Sequence, residues 1–230
     1  MRICGLQKLT LLDYPERTAC TVFTGGCNFR CPFCHNAALL APAPGTETIS
    51  EESFFAFLEK RKKLLDGVCV SGGEPLLQKD IGDFLAKIKG LGYRVKLDTN
   101  GSFPEILEEI LRKNLADYVA MDIKNAPEKY GETVGLAHWD WTPVKKSIQI
   151  LMKGRIPFEF RTTVVREFHT AEDFLSMAAS IGGAPRYYLQ QFTDQGGNVR
   201  AGLHSYTKEE LTRFLQSIRP FFKVAELRGI

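Results

Sequence analysis

The residues best suited to chemistry stand together in Gly25-Gly26-Cys27-Asn28-Phe29-Arg30-Cys31-Pro32-Phe33-Cys34-His35. Three thiols share one short loop at C-x3-C-x2-C spacing, with a glycine pair ahead of them and a histidine directly after. They converge on one centre only if the backbone wraps around it, and Gly25, Gly26 and Pro32 suit such a turn. Thiolates favour zinc, copper(I) or an iron–sulfur cluster. A [4Fe–4S] cluster held by three cysteines keeps one iron without a protein ligand, open to a cofactor or substrate. Zinc is the competing reading, with Cys27, Cys31, Cys34 and His35 as a Cys3His set. The adjacency of Cys34 and His35 makes one tetrahedron awkward, and a structural zinc leaves the polar residues elsewhere unexplained.

Those polar residues fall at the ends of apolar runs. Gly72-Gly73-Glu74-Pro75 follows Gly67-Val68-Cys69-Val70-Ser71. Two residues without side chains admit a small zwitterion, and the carboxylate beside them can pair its ammonium group. Asp98-Thr99-Asn100-Gly101 is either a turn or a pair of polar ligands, Asp98 and Asn100. Asp122 and Lys124 alternate on one strand and share a face, as a surface ion pair or as site groups. Arg161 lies inside an apolar strand, where a guanidinium needs an acidic partner or a ligand. Gln190-Gln191 ends a later run.

The elements that must position these groups alternate. Strands are expected over 18–24, 67–71, 93–97, 118–121, 158–165 and 186–192, from β-branched and aromatic runs that end at the polar residues. Helices are expected after Ser50, over Ile81–Leu91, from Pro104, over Val144–Leu151, from Thr170 to Ile181, and after the capping box Thr207-Lys208-Glu209-Glu210. Residues 221–227 read as a last strand or an extended tail, 5–17 as a leader and 37–48 as an irregular connection. About six strand–helix alternations imply a parallel sheet with right-handed crossovers. The expected fold class is α/β, a partial (β/α)6 open TIM-like barrel with parallel strands, in a single domain over residues 1–230 with the cysteine loop at 25–36. In such folds the site forms at the carboxyl ends of the strands, which is where the polar groups fall.

Composition excludes several classes. Hydrophobic residues make up 44% and charged residues 25%, as in ordinary globular chains. A net charge of +3 without interleaved aromatic and basic residues speaks against nucleic acid. No apolar run is long enough for a membrane span, and the first residues lack the apolar stretch of a secretory signal. Of six cysteines, Cys4, Cys20 and Cys69 are scattered among apolar neighbours, which is no disulfide framework. Cys20 and Cys69 read as core residues, Cys4 and His35 have no assigned role, and the expected compartment is the cytoplasm.

The C-x3-C-x2-C loop with Phe33 before its last cysteine, followed by Gly72-Gly73-Glu74-Pro75, resembles the radical S-adenosylmethionine (SAM) superfamily. Further stretches resemble the anaerobic ribonucleoside-triphosphate reductase activating protein family, which are activases of glycyl radical enzymes: residues 5–15, Leu97-Asp98-Thr99-Asn100-Gly101, Ala120-Met121-Asp122-Ile123-Lys124, Phe160-Arg161-Thr162-Thr163-Val164 and Leu189-Gln190-Gln191-Phe192. The resemblance implies that Cys27, Cys31 and Cys34 hold a [4Fe–4S] cluster whose open iron takes the amino and carboxylate groups of SAM. It places Phe33 beside the adenine and Gly72, Gly73 and Glu74 at the methionine ammonium. It also implies a monovalent cation at Asp98 and Asp122, and Lys124 and Arg161 in contact with SAM or the substrate backbone. Reductive cleavage of SAM to methionine and a 5′-deoxyadenosyl radical then removes a hydrogen atom from a glycine Cα of a partner enzyme such as anaerobic ribonucleotide reductase. No cysteine lies between Cys34 and Cys69, so auxiliary clusters are not expected, and electrons must come from a separate donor such as flavodoxin or ferredoxin. Residues 165–169, Val-Arg-Glu-Phe-His, depart from the Gly/Pro-rich loop of the family. Two other functions compete: a radical SAM enzyme acting on a small molecule, resembling the 7-carboxy-7-deazaguanine synthases, and a zinc-stapled binding module. The 125–143 connection, with Tyr130, Trp139 and Trp141, offers a docking surface for a protein partner.

Overall fold

A computed structural model of the chain describes residues 1–194 and 196–230. Eight strands form one sheet in the order of the sequence: β1 (Ile3–Thr10), β2 (Ala19–Thr24), β3 (Gly67–Gly72), β4 (Arg94–Thr99), β5 (Tyr118–Asp122), β6 (Phe158–Val164), β7 (Arg186–Gln191) and β8 (Val224–Arg228). β1 runs antiparallel to β2, whereas β2–β3, β3–β4, β6–β7 and β7–β8 are parallel. The sheet is not closed by a β1–β8 pairing in the strand order, as expected of an open (β/α) barrel topology.

The helices are α1 (Ala37–Leu40), α2 (Glu51–Lys60), α3 (Ile81–Gly90), α4 (Pro104–Arg112), α5 (Tyr130–Thr133), α6 (Thr142–Lys153), α7 (Ala171–Ile181) and α8 (Lys208–Ile218). The caps read from the sequence form. Ser50 accepts from the Ser53 N–H, and Thr170 and Thr207 make reciprocal capping boxes with Asp173 and Glu210. The apolar stripes are buried: Ile81, Phe84, Leu85 and Ile88 on α3, with Leu91 past its end only half-buried, and Phe174, Met177, Ala178 and Ile181 on α7. Each large apolar side chain so removed from water contributes roughly 1.5–3 kcal/mol.

Two readings needed correction. Residues 3–10, overlapping the expected leader at 5–17, form an edge strand. The 37–48 connection opens with a one-turn helix that has a use at the site.

The chain divides into two compact units, each discontinuous in sequence: Met1–Asn28 with Ala38–Thr99 and Glu105–Val119, and Phe29–Ala37 with Asn100–Pro104 and Ala120–Ile230. The cysteine loop passes from the first unit to the second between Asn28 and Phe29.

Candidate active site

In the first unit the site residues stand at the ends of β2, β3 and β4. The start of the cysteine loop is held mainly by backbone, with the Gln78 side-chain amide donating to the Gly25 carbonyl (2.8 Å). The Gly25 N–H donates to the Arg2 carbonyl (3.0 Å), ahead of β1, and the Gly26 and Cys27 N–H groups donate to the Leu39 and Leu40 carbonyls of α1 (2.7 and 3.1 Å). The Gly73 N–H reaches the Thr24 carbonyl (2.9 Å) and the Glu74 N–H the Gly26 carbonyl (2.8 Å), so the Gly-Gly-Glu turn is laced to the loop. A Cβ on Gly73 would stand 2.1 Å from the Gly26 oxygen, and Gly72, at φ +121°, would set one 2.3 Å from the Thr24 nitrogen. The glycine pair is thus required by the chain's own backbone, a reason different from the approach of a zwitterion.

Glu74 is fully buried. Its Oε1 accepts from the Leu76 N–H (3.0 Å) and the Thr99 hydroxyl (2.8 Å), which ties the turn to the end of β4. Ahead of the loop, the Thr24 hydroxyl is buried and has no hydrogen-bond partner among the described residues. Asp98 receives the Lys96 ammonium on Oδ1 and the Ser71 hydroxyl on Oδ2 (3.1 Å). Lys96 is 1% exposed and also lies 3.8 Å from the Cys69 sulfur. Lys96, which the sequence did not single out, alternates with Asp98 on β4, whereas of Asp122 and Lys124, expected to share a strand, only Asp122 lies on β5 and Lys124 follows its end.

In the second unit, Cys31 and Cys34 are joined by a turn in which the Cys34 N–H donates to the Cys31 carbonyl (3.1 Å). This half of the loop is anchored by aromatic packing. Phe29 sits edge-on to Trp139 (4.9 Å) and Tyr130 (6.3 Å), Phe33 packs on Phe168 (5.6 Å) and His169 (6.4 Å), and exposed His35 stacks on Phe192 (5.5 Å, 12°). The Arg30 N–H donates to the Val134 carbonyl (2.8 Å), and the Arg200 N–H to the Pro32 carbonyl (2.9 Å). Gly135, at φ +72°, permits the first of these approaches, since a Cβ there would meet the Arg30 oxygen at 2.3 Å. Tyr130 is fully buried, with Trp139 and Trp141 half-buried against it at 6.0 and 4.7 Å. Tyr130 and Trp139 thus pack on Phe29 of the cysteine loop, and Trp141 packs on Tyr130.

Asp122 Oδ1 accepts from Arg161 Nε (2.9 Å) and Oδ2 from Lys124 Nζ (3.0 Å). Burial pushes the Asp122 carboxyl up, yet Arg161 and Lys124 outweigh it and hold the group at about 2. Burial also works against the Lys124 charge, and Asp122 together with the nearby Cys31 thiol raises its pKa overall. The Cys34 thiol is pushed up by burial, opposed by a hydrogen bond from the Asn36 backbone and by Lys124. Two thiols of the loop therefore lie within the field of one lysine, which at Cys34 offsets only part of the effect of burial. His169, which carried no assigned role in the sequence, is fully buried and held neutral by that burial, with Nε2 2.8 Å from the Lys124 carbonyl. Asn100 spends its side-chain oxygen on the Ser102 N–H (2.9 Å) and hydroxyl (2.6 Å), which is the turn role of its motif.

The donor set fits an iron–sulfur cluster. It comprises three soft ligands on one loop, two of them beside a cation, and a loop base that tolerates no side chain at Gly73. Of the other cysteines, Cys20 and Cys69 are fully buried in strands, and Cys4 lies where a Gly25 Cβ would come 2.5 Å from its sulfur. No described helix is long and apolar enough to cross a membrane.

Comparison with known proteins places this arrangement. The radical SAM superfamily profile matches residues 21–181. The chain is 35% identical over 195 residues to a Methanocaldococcus jannaschii protein named "Putative glycyl-radical enzyme activating enzyme", covering 83% of this chain and 79% of that one. It is 38% identical over 140 residues to the pyruvate formate-lyase-activating enzyme of Listeria monocytogenes, a match spanning 56% of each chain and so little more than half of that enzyme. Among solved structures, a domain of pyruvate-formate lyase-activating enzyme from Bacteroides vulgatus superposes with TM-score 0.59 at 18% identity, over 71% of this chain and 99% of that one. Streptococcus suis SuiB bound to S-adenosylmethionine gives 0.69 at 15% identity, over 87% and 48%. These last two likenesses speak for the fold. With the profile covering most of the chain and the archaeal relative matched over most of its length, the chain belongs to the radical SAM superfamily and, within it, to the glycyl-radical-enzyme activating enzymes.

Proposed function

We propose that the chain activates a glycyl radical enzyme, anaerobic ribonucleotide reductase being the expected partner, with a [4Fe–4S] cluster on Cys27, Cys31 and Cys34 and SAM as its cofactors. The observation that carries the reading is the donor set, three thiols on one loop with Cys31 and Cys34 set against the Asp122–Lys124–Arg161 array. When bound, the reduced cluster and SAM supply the abstraction of a hydrogen atom from a glycine Cα.

The chain's own residues bind and orient. The backbone of Gly72, Gly73 and Glu74 would receive the methionine ammonium, on a turn that Glu74 fixes through Thr99 and Leu76. Phe33 is held by Phe168 and His169 and would take the adenine, and Asp98, Asn100 and Asp122 would serve as cofactor-binding groups. Lys124 and Arg161 are the catalytic pair: Asp122 holds Lys124 Nζ and Arg161 Nε, and both cations would contact the SAM carboxylate or the substrate backbone. Cys20 and Cys69 are sealed in strands, so reducing equivalents come from an external donor of the flavodoxin or ferredoxin type, in the cytoplasm. Anaerobic reconstitution with iron and sulfide, followed by dithionite and SAM, is expected to yield 5′-deoxyadenosine and methionine. A fully loaded cluster that forms no deoxyadenosine overturns the reading.

A further inference from the structure

A strand that buries a lysine needs a reason. Lys96 sits in the interior of β4, 1% exposed, with a fully buried valine and leucine on either side of it in sequence. Removing an ammonium from water costs several kcal/mol unless a counter-charge is fixed beside it. Asp98 is that counter-charge, two residues on along the same face, and its second oxygen is fixed by Ser71. The pairing is built by register: Cys69 lies directly opposite Lys96 across the β3–β4 ladder, so Ser71 stands opposite Asp98. Asp122, the other carboxylate expected to share an alkali ion, likewise carries two cations of its own, Lys124 and Arg161. Each carboxylate is therefore charge-compensated inside its own unit, which removes the electrostatic demand that a potassium or sodium ion would meet.

We propose that Lys96 is the fixed cation of the Asp98 carboxylate, a positioning residue that does the work expected of a monovalent metal ion, so that SAM binding by this chain requires no alkali cation. An ammonium has the charge of a potassium ion, and three N–H donors give it the directionality that the ion lacks. The inference rests on the proposed SAM-dependent function.

The test is equilibrium dialysis of SAM against the cluster-loaded protein, at constant ionic strength in potassium, sodium or tetramethylammonium chloride. The wild-type Kd is expected to agree within about twofold across the three salts. In Lys96→Ala the Kd is expected to weaken about tenfold in tetramethylammonium, the loss of one charge-assisted contact, and to recover on adding potassium or methylammonium. A purely structural lysine would lower the melting temperature without this salt-selective recovery. Should Lys96→Ala fail to fold, Lys96→Met keeps the aliphatic stem and is read in the same way, and the wild-type comparison needs no variant. Wild-type binding that weakens more than about fivefold without potassium, or a variant whose affinity matches wild type in every salt, overturns the Lys96 assignment alone. Failure of the loaded wild type to bind SAM in any salt overturns the underlying function with it.

Discussion

Asp122 serves two cations with one carboxylate, Arg161 on one oxygen and Lys124 on the other. Its side chain is only 26% exposed, so losing it strands two partly buried charges. A carboxyl held at about 2 in the fold, against an ordinary value of 3.8, stabilises the protein above that ordinary value and loses its contribution as pH falls through the folded one. Asp122→Asn is therefore expected to cost about 2–3 kcal/mol at neutral pH. The cost should hold down to about pH 4 and vanish by about pH 2. Urea unfolding of both proteins across that range checks it, and a pH-independent difference would assign the loss to something other than this charge. The Asp122–Lys124 pair was visible in the sequence because opposite charges two apart at the end of an apolar run stay within reach of each other, although β5 ends at Asp122. Lys96 and Asp98 have the same spacing, but the ammonium is buried by neighbours on β3, and burial is not written locally.

At the scale of elements, the cysteine loop depends on the junction of β2, β3 and α1. Gly73→Ala forces a Cβ against the Gly26 carbonyl, a backbone atom that cannot rotate away. A loss of about 1–3 kcal/mol is expected, together with reduced iron and sulfide after reconstitution. Melting temperature and metal analysis report the two, and a variant loading iron as wild type does would show the junction to be slack. The second half of the loop leans on Trp139 through Phe29. Trp139→Ala should likewise cost about 3 kcal/mol and lower the iron content, whereas a residue used only for docking would leave iron content unchanged. Caps and amphipathic stripes were legible because Ser50, Thr170 and Thr207 act on residues three positions away. β1 was not. Its residues show no clean alternation of burial, and only pairing with β2 makes them a strand.

For the whole molecule, the six strands β2 to β7 and the residues at their ends were readable from the sequence, because each polar group follows its own apolar run. What escaped were partners distant in sequence: Tyr130 and Trp139 behind the cysteine loop, His169 under Lys124, and the Arg228 guanidinium bound to buried Glu159. Aromatics in a long connection carry no local sign of the loop on which they pack. The account treats the chain as an activase, whose product is a radical left on another protein. The most direct measurement is electron paramagnetic resonance after anaerobic incubation of the cluster-loaded protein with SAM, a reductant and its candidate partner, anaerobic ribonucleotide reductase or pyruvate formate-lyase. The account predicts a doublet from a glycyl radical on a partner, absent when Cys31→Ala replaces the wild type. Deoxyadenosine formed in quantity, with no glycyl doublet on either partner and hydrogen drawn from a small molecule instead, would contradict it.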